Sequence, residues 1–165
     1  MSENPDFEEF YLQMHPRVWA FLFRSTDDPA VAEELAQEAF VRLLASRGAA
    51  LPWDERRAYV FRIAVNLIRA AARRRAREGA TPLDDMPELA ALQPADPIAR
   101  RASVVFNGLG ERERELLWLA HVEKWTHSEI AAALGLASGS VRVLLHRARR
   151  RFLERFEKEK KNETD

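Results

Sequence analysis

Residues 126–149 read THSEIAAALGLASGSVRVLLHRAR, and this stretch decides the fold of the C-terminal half. Thr126 and Glu129 stand at capping-box spacing, so each satisfies a backbone N–H near a helix start. Ile130, Ala131 and Leu134 then form a short apolar face. Gly135 follows where a helix ends in a left-handed residue. Leu136 is placed to plug the turn, and Ser138 is a suitable cap for the next helix. In that helix Val141, Leu145, Ala148 and Phe152 share one side. Ala131 lets two helices cross closely, Gly135 turns the chain and Val141 anchors the second helix. This is the steric logic of a DNA-binding helix-turn-helix.

The opposite side of the second helix holds Ser140, Arg142, Val143, His146, Arg147, Arg149 and Arg150. Its N-terminal half is expected to enter a major groove. Arginine there binds guanine edges or phosphates.

The chain has 165 residues with 26 basic and 26 acidic side chains, so its net charge is zero. The distribution is uneven. Residues 1–38 hold nine acids and two arginines, a balance of −7. Residues 56–77 hold eight arginines and no acid, a balance of +8. Residues 78–101 carry −3, and residues 142–155, with six arginines against Glu154, carry +5. Two separate basic stretches suit two contacts with one polyanion. Either run alone also fits a solvated helix face. Arginine outnumbers lysine in both, which suits phosphates and base edges.

Outward from these runs the pattern is helical throughout, and an all-α fold is expected. Residues 6–24 place Phe7, Phe10, Tyr11, Met14, Val18, Phe21 and Leu22 on one stripe, with Pro16 inside it to kink or split the helix. Asp27-Asp28-Pro29 reads as a capped start with proline at the first helical position. The helix that follows, about 29–46, is expected to bury Val31, Leu35, Ala39, Phe40 and Leu43. Gly48 to Pro52 breaks it. A third helix, about 54–77, places Tyr59, Ile63, Leu67 and Ala70/Ala71 on one side. Periodicity fades over 78–98, where Gly79 and four prolines fall, and this segment reads as a flexible linker. The sequence thus divides into domains at 1–77 and 99–165. In the second domain helices are expected at about 98–108, 111–124, 127–134 and 138–158, with Lys158 to Asp165 frayed.

Residues 53–77, WDERRAYVFRIAVNLIRAAARRRAR, interleave aromatics with arginines. Such a helix can stack unpaired bases while arginines track the backbone. Aromatics at this spacing serve a core equally well.

Enzymatic chemistry finds no support. Cysteine is absent, and His15, His121, His127 and His146 show no metal-ligand spacing. There is no phosphate-cradling glycine loop, and no metal or cofactor is expected. No apolar run approaches a membrane span and no signal peptide is visible, so a cytoplasmic protein without membrane insertion is expected.

Three segments together resemble a known family. AEELAQEAFVRLL (Ala32 to Leu44), RAYVFRIAVNLIRAAARRR (Arg57 to Arg75) and LGERERELLWLAHVEKWTHSEIAAALGLASGSVRVLLHRAR (Leu109 to Arg149) resemble, in order, conserved segments of bacterial sigma factors of the extracytoplasmic function group. The resemblance implies two small helical domains, an N-terminal bundle and a C-terminal helix-turn-helix. It implies a subunit that binds core RNA polymerase and directs it to promoters. By position, Glu34, Gln37, Glu38 and Arg42 match the helix that meets the β′ clamp helices. Trp53, Arg57, Tyr59, Arg62, Asn66, Arg69 and Arg73 match the surface that melts and reads the −10 element, beside a specificity loop at about 46–55. Ser140, Arg142, Val143, His146, Arg147 and Arg150 match the surface that reads the −35 element, in a domain that sits on the β flap. An anti-sigma factor is a further implied partner. The family often has a polar and a basic residue where Val143 and Leu144 stand here; Val143 can instead meet a thymine methyl. The competing reading, a helix-turn-helix regulator acting without polymerase, accounts for residues 109–155 but leaves the first two segments unexplained.

Overall fold

The computed structural model describes residues 5–78 and 94–165. Among them there is no strand, and no single helix is long and apolar enough to cross a membrane. The helices are α1 (Pro5–Thr26), α2 (Pro29–Leu44), α3 (Trp53–Glu78), α4 (Pro97–Asn107), α5 (Glu111–Leu117), α6 (His127–Leu134) and α7 (Ser138–Thr164). A 3₁₀ turn (Arg47–Ala50) precedes α3, and a π turn (Trp118–Val122) continues α5. Contacts divide the chain into two compact units. The first is built from α1–α3, the second from α4, α5, α7 and most of α6.

In the first unit α1, α2 and α3 pack pairwise. The core is Phe10, Met14, Val18, Phe21 and Leu22 of α1, with Leu35, Ala36, Ala39, Phe40 and Leu43 of α2. Asp28 Oδ1 accepts from the N–H groups of Ala30 (3.0 Å) and Val31 (3.3 Å), and Pro29 opens α2 as expected. Val31 itself is only half-buried. Pro16 does not split α1. The carbonyl it leaves without an N–H partner is that of exposed Leu12, where water can take the bond.

The buried stripe of α3 differs from the expected one. It is Val60, Phe61, Ala64, Val65, Leu67 and Ile68, while Tyr59, Ile63, Ala70 and Ala71 are half-buried. Phe61, edge-on to Phe21 at 5.4 Å, turns the helix by about one residue. Arg56 is inside as well, at 5% exposure.

In the second unit α7 packs against α4 and α5. Asp96 caps α4, so helix begins at Pro97, and α3 runs to Glu78. Both ends of the expected 78–98 linker are therefore helical; 79–93 lie outside the described residues. The helix expected over 111–124 changes to π geometry after Leu117, with the Glu123 N–H donating to the Trp118 carbonyl at 3.1 Å. The wider turn ends at Lys124, in left-handed conformation, and Trp125 is buried beyond it.

The helix-turn-helix forms as read, with two changes. Thr126 and Glu129 close the capping box, and Gly135 has φ +67°. The cap of α7 is Ala137 rather than Ser138, which is already helical and makes no side-chain cap bond. The expected fraying from Lys158 does not occur: α7 continues to Thr164. Arg101 holds its end, pairing with Glu163 and lying over the Phe156 ring at 5.3 Å.

Candidate nucleic-acid and polymerase interface

The outward side of α2 exposes Glu34, Gln37, Glu38 and Arg42. Arg42 Nε donates to Glu38 Oε1 at 2.8 Å, and Gln37 Nε2 to Glu33 Oε1 at 3.1 Å. Local pairs at i,i+4 stiffen this row but contribute little stability. Val41 and Leu44 continue it, 62% and 60% exposed. Two exposed apolar side chains beside a charged row are compatible with a protein contact. Sequence reasoning passed over both. The signal was present, because 34, 37/38, 41 and 44 fall at helical spacing on the side opposite the core.

The loop before α3 is fastened at several points. Ser46 Oγ donates to the Leu43 carbonyl (2.7 Å) and accepts from the Gly48 N–H (3.1 Å). Gly48 is buried under the Tyr59 ring. Trp53 meets Phe10 edge-on at 5.1 Å. Arg56 Nε donates to the Leu51 carbonyl (3.2 Å) and its Nη2 to Asp6 (2.8 Å), with the guanidinium 5.1 Å from the Phe10 ring centre. Arg56 therefore contributes nothing to the basic surface that residues 56–77 suggested. It ties the loop to the first turns of α1 and α3.

The seven residues expected at this surface fall into two sets. Trp53 and Tyr59 are half-buried in these contacts, and Arg57 is half-buried beside Asp54 at 3.8 Å. Arg62, Asn66 and Arg73 are exposed and, among the described residues, make no hydrogen bond or ion pair, while Arg69 is half-buried and engaged. Arg62, Asn66, Arg69 and Arg73 follow one another at steps of four and three, so they line one side of α3.

On α7 all six expected residues, Ser140, Arg142, Val143, His146, Arg147 and Arg150, are exposed. Val141, Leu145 and Ala148 are fully buried beneath them. Val143 is 49% exposed, an apolar side chain in the middle of the polar face. The arginines separate along the helix. Arg142 and Arg147 have no protein partner among the described residues. Arg149 donates to His121 (2.9 Å), Arg150 to Glu154 (3.3 Å), Arg151 to Glu113 (2.6 Å) and Arg155 to the Gly108 carbonyl (2.6 Å). The first turns of α7 thus keep their positive charge available, while farther along Arg149 is held by an imidazole, Arg150 pairs within α7, and Arg151 and Arg155 fasten α7 to the rest of the unit.

Among the described residues no cluster of three His, Asp or Glu side chains stands close enough to hold a metal ion. His121 is held below the ordinary value of 6.5, first by partial desolvation and then by the charges of Arg149 and Lys124.

Comparison with known proteins finds two conserved regions in the chain. Residues 10–78 match Sigma-70 region 2, and residues 102–152 match Sigma-70, region 4. The RNA polymerase sigma factor CarQ of Myxococcus xanthus is 32% identical over 145 residues, covering 86% of this chain and 83% of its own. The RNA polymerase sigma-E factor of Streptomyces coelicolor is 30% identical over 159 residues, covering 93% and 88%. Among solved structures, the sigma factor RpoE of Bartonella quintana, in complex with the anti-sigma factor NepR, shares the fold with TM-score 0.75. That likeness is at 24% identity and covers 92% of this chain and 97% of the other. A helix-turn-helix alone would match only the second segment. Both regions are present in order, and relatives match along most of the chain. The chain belongs to the extracytoplasmic function group of RNA polymerase sigma factors, which bind the polymerase and direct it to specific promoters.

Proposed function

We propose a division of that activity between the two halves of the chain. Residues 1–77 bind the β′ clamp helices through Glu34, Gln37, Glu38, Arg42 and the flanking Val41 and Leu44. They open the −10 element through α3 and the loop at 46–55. Residues 99–165 read the −35 element through α7 and sit on the β flap, with 78–98 as the connection. The observation that carries this reading is the separation of arginines on α7. Unengaged guanidinium groups lie on its first half, where a recognition helix meets base edges. Within the opening surface, Asn66 and Arg62 meet unpaired bases and phosphates, while Trp53, Tyr59 and Arg56 hold the loop that takes the flipped base.

An anti-sigma factor fits as a further partner, since RpoE, which shares this fold, was solved with the anti-sigma factor NepR; CnrH, of the same fold, was solved with the cytosolic domain of CnrY. Core polymerase and promoter DNA place the working protein in the cytoplasm. The family directs polymerase rather than catalysing a reaction of its own.

Run-off transcription with core polymerase on the DNA upstream of this protein's own gene tests the reading. Glu34→Lys with Glu38→Lys should abolish co-purification with polymerase while helical content stays unchanged. Asn66→Ala should impair strand opening more than initial binding, and a pre-melted bubble should restore much of the loss, because unstacking has already been met. Permanganate reactivity on linear and bubble templates separates the two steps. Nanomolar binding of promoter DNA by the purified chain alone, in physiological salt, would favour a polymerase-independent regulator instead.

A further inference from the structure

We propose that His121 positions Arg149 for a contact with the phosphate backbone bordering the −35 element, which makes the π turn part of the DNA-reading surface. The proposal rests on the reading of α7 given above. Its basis is the hydrogen bond from Arg149 Nε to His121 Nε2, 2.9 Å long and spanning 28 residues of sequence.

The chemistry of this pair differs from that of its neighbours. Arg150 and Arg151 bond to carboxylates, which cancel their charge locally. Arg155 bonds to a backbone carbonyl at the far end of the unit. Arg149 is held by an imidazole, a neutral acceptor, so its full charge remains. The bond uses Nε alone. Among the described residues both Nη nitrogens are without a protein partner, and this fork is the part of arginine that matches a phosphate.

Position supports the same conclusion. Arg142, His146 and Arg149 lie at i, i+4 and i+7, on one side of α7. Arg149 ends that row about 10 Å beyond Arg142, at 1.5 Å per residue. A helix whose first half enters the groove brings the next turn alongside the sugar-phosphate backbone. His121 is suited to its part because partial desolvation, Arg149 and Lys124 favour its neutral form. Only that form offers an Nε2 lone pair, and the proton then sits on Nδ1. The π turn sets the register: widening the ladder between Trp118 and Glu123 changes which residue faces α7.

Without His121 an exposed arginine samples many rotamers, and ordering it on DNA lowers affinity by up to about tenfold. The pair removes part of that cost before binding. The test uses core polymerase carrying the full chain, with a duplex that the wild-type holoenzyme selects from a pool randomised across the −35 region. Selection of a common element establishes the reading of α7, on which the variants are then compared. His121→Leu should weaken binding about three- to fivefold, and Arg149→Ala, which loses the contact itself, about tenfold, with the salt slope lower by about one. His121→Gln, whose Oε1 can accept the same bond, should stay within about twofold of wild type. The double variant should bind as Arg149→Ala does. Losses that add in the double variant, full affinity in Arg149→Ala, or a His121→Gln variant as weak as His121→Leu would each overturn the pairing. Failure of the wild-type holoenzyme to select any element would overturn the reading of α7 and the pair with it.

Discussion

A Cβ atom placed on Gly48 would lie 2.6 Å from Cδ1 and 2.8 Å from Cε1 of Tyr59. The Tyr59 ring therefore closes directly on the backbone of the 3₁₀ turn before α3. Leu43 Cδ1, 2.9 Å from the same point, closes the other side. A ring cannot withdraw as the end of a lysine could. The position and the loop at 46–55 are fixed together.

Gly48→Ala is accordingly expected to destabilise the first unit by about 1–3 kcal/mol, the range for overpacking a filled site. Tyr59→Ala removes the wall, so the double variant should cost less than the two single changes together. Urea unfolding of the four proteins measures this directly. Strictly additive losses would mean that Gly48 and Tyr59 do not share the contact.

Much of this was legible in the sequence and some was not, for physical reasons. Capping residues act locally, so Asp28, Thr126, Glu129 and Gly135 could be placed from their neighbours alone. The buried side of α3 could not. Helical spacing fits Tyr59-Ile63-Leu67 nearly as well as Val60-Ala64-Leu67, and only Phe61 meeting Phe21 decides between them. Arg56 read as surface charge because its partners, Asp6 and the Leu51 carbonyl, come from other elements. The end of α7 read as frayed because Arg101, which holds it, lies 62 residues from Glu163. On α7 the exposed side was legible, whereas the sorting of its arginines depended on Glu113, His121 and Gly108 arriving from α5 and its flanks.

That sorting sets an expectation for promoter binding. Arg142→Ala and Arg147→Ala should each weaken closed-complex formation by about 1–3 kcal/mol where a bidentate base contact is lost. Arg151→Ala should leave −35 selectivity unchanged and act on the stability of the second unit, through the 2.6 Å bond to Glu113. Binding of holoenzyme to matched and mismatched −35 duplexes distinguishes the two classes. A relaxed sequence preference in Arg151→Ala, with none in Arg142→Ala or Arg147→Ala, would reverse the assignment.

His121 gives stability a pH dependence with a definite sign. Its value in the folded protein lies below the ordinary 6.5, so the unfolded chain binds the proton more readily. The stabilisation is present above 6.5 and is lost as pH falls through the lowered value. His121→Gln removes the titration. Between pH 8 and pH 5 the urea midpoint of this variant should fall less than that of the wild type. Parallel curves would show that His121 contributes no linkage. The effect is small because the imidazole is exposed.

Arg56 offers a sharper separation of stability from function. Its side chain is 6% exposed and that of Asp6 is 59% exposed, so almost all the desolvation falls on the guanidinium. Removing the carboxylate leaves a buried charge with one carbonyl partner, whereas replacing the arginine with an apolar side chain removes the charge itself. Asp6→Ala should therefore destabilise the first unit more than Arg56→Met does, although Asp6 is the more exposed residue. Arg56→Met keeps a long side chain against Phe10 but cuts the bond to the Leu51 carbonyl that holds the loop. This variant should fold, bind core polymerase and form closed complexes at near wild-type levels. Its defect should be in strand opening, relieved on a template already melted at −10. Urea midpoints of the two variants, with permanganate reactivity of Arg56→Met on linear and bubble templates, provide both comparisons. An Arg56→Met protein that opens linear DNA normally would show that the loop keeps its place without this arginine, leaving Ser46 and the Gly48–Tyr59 contact to hold it.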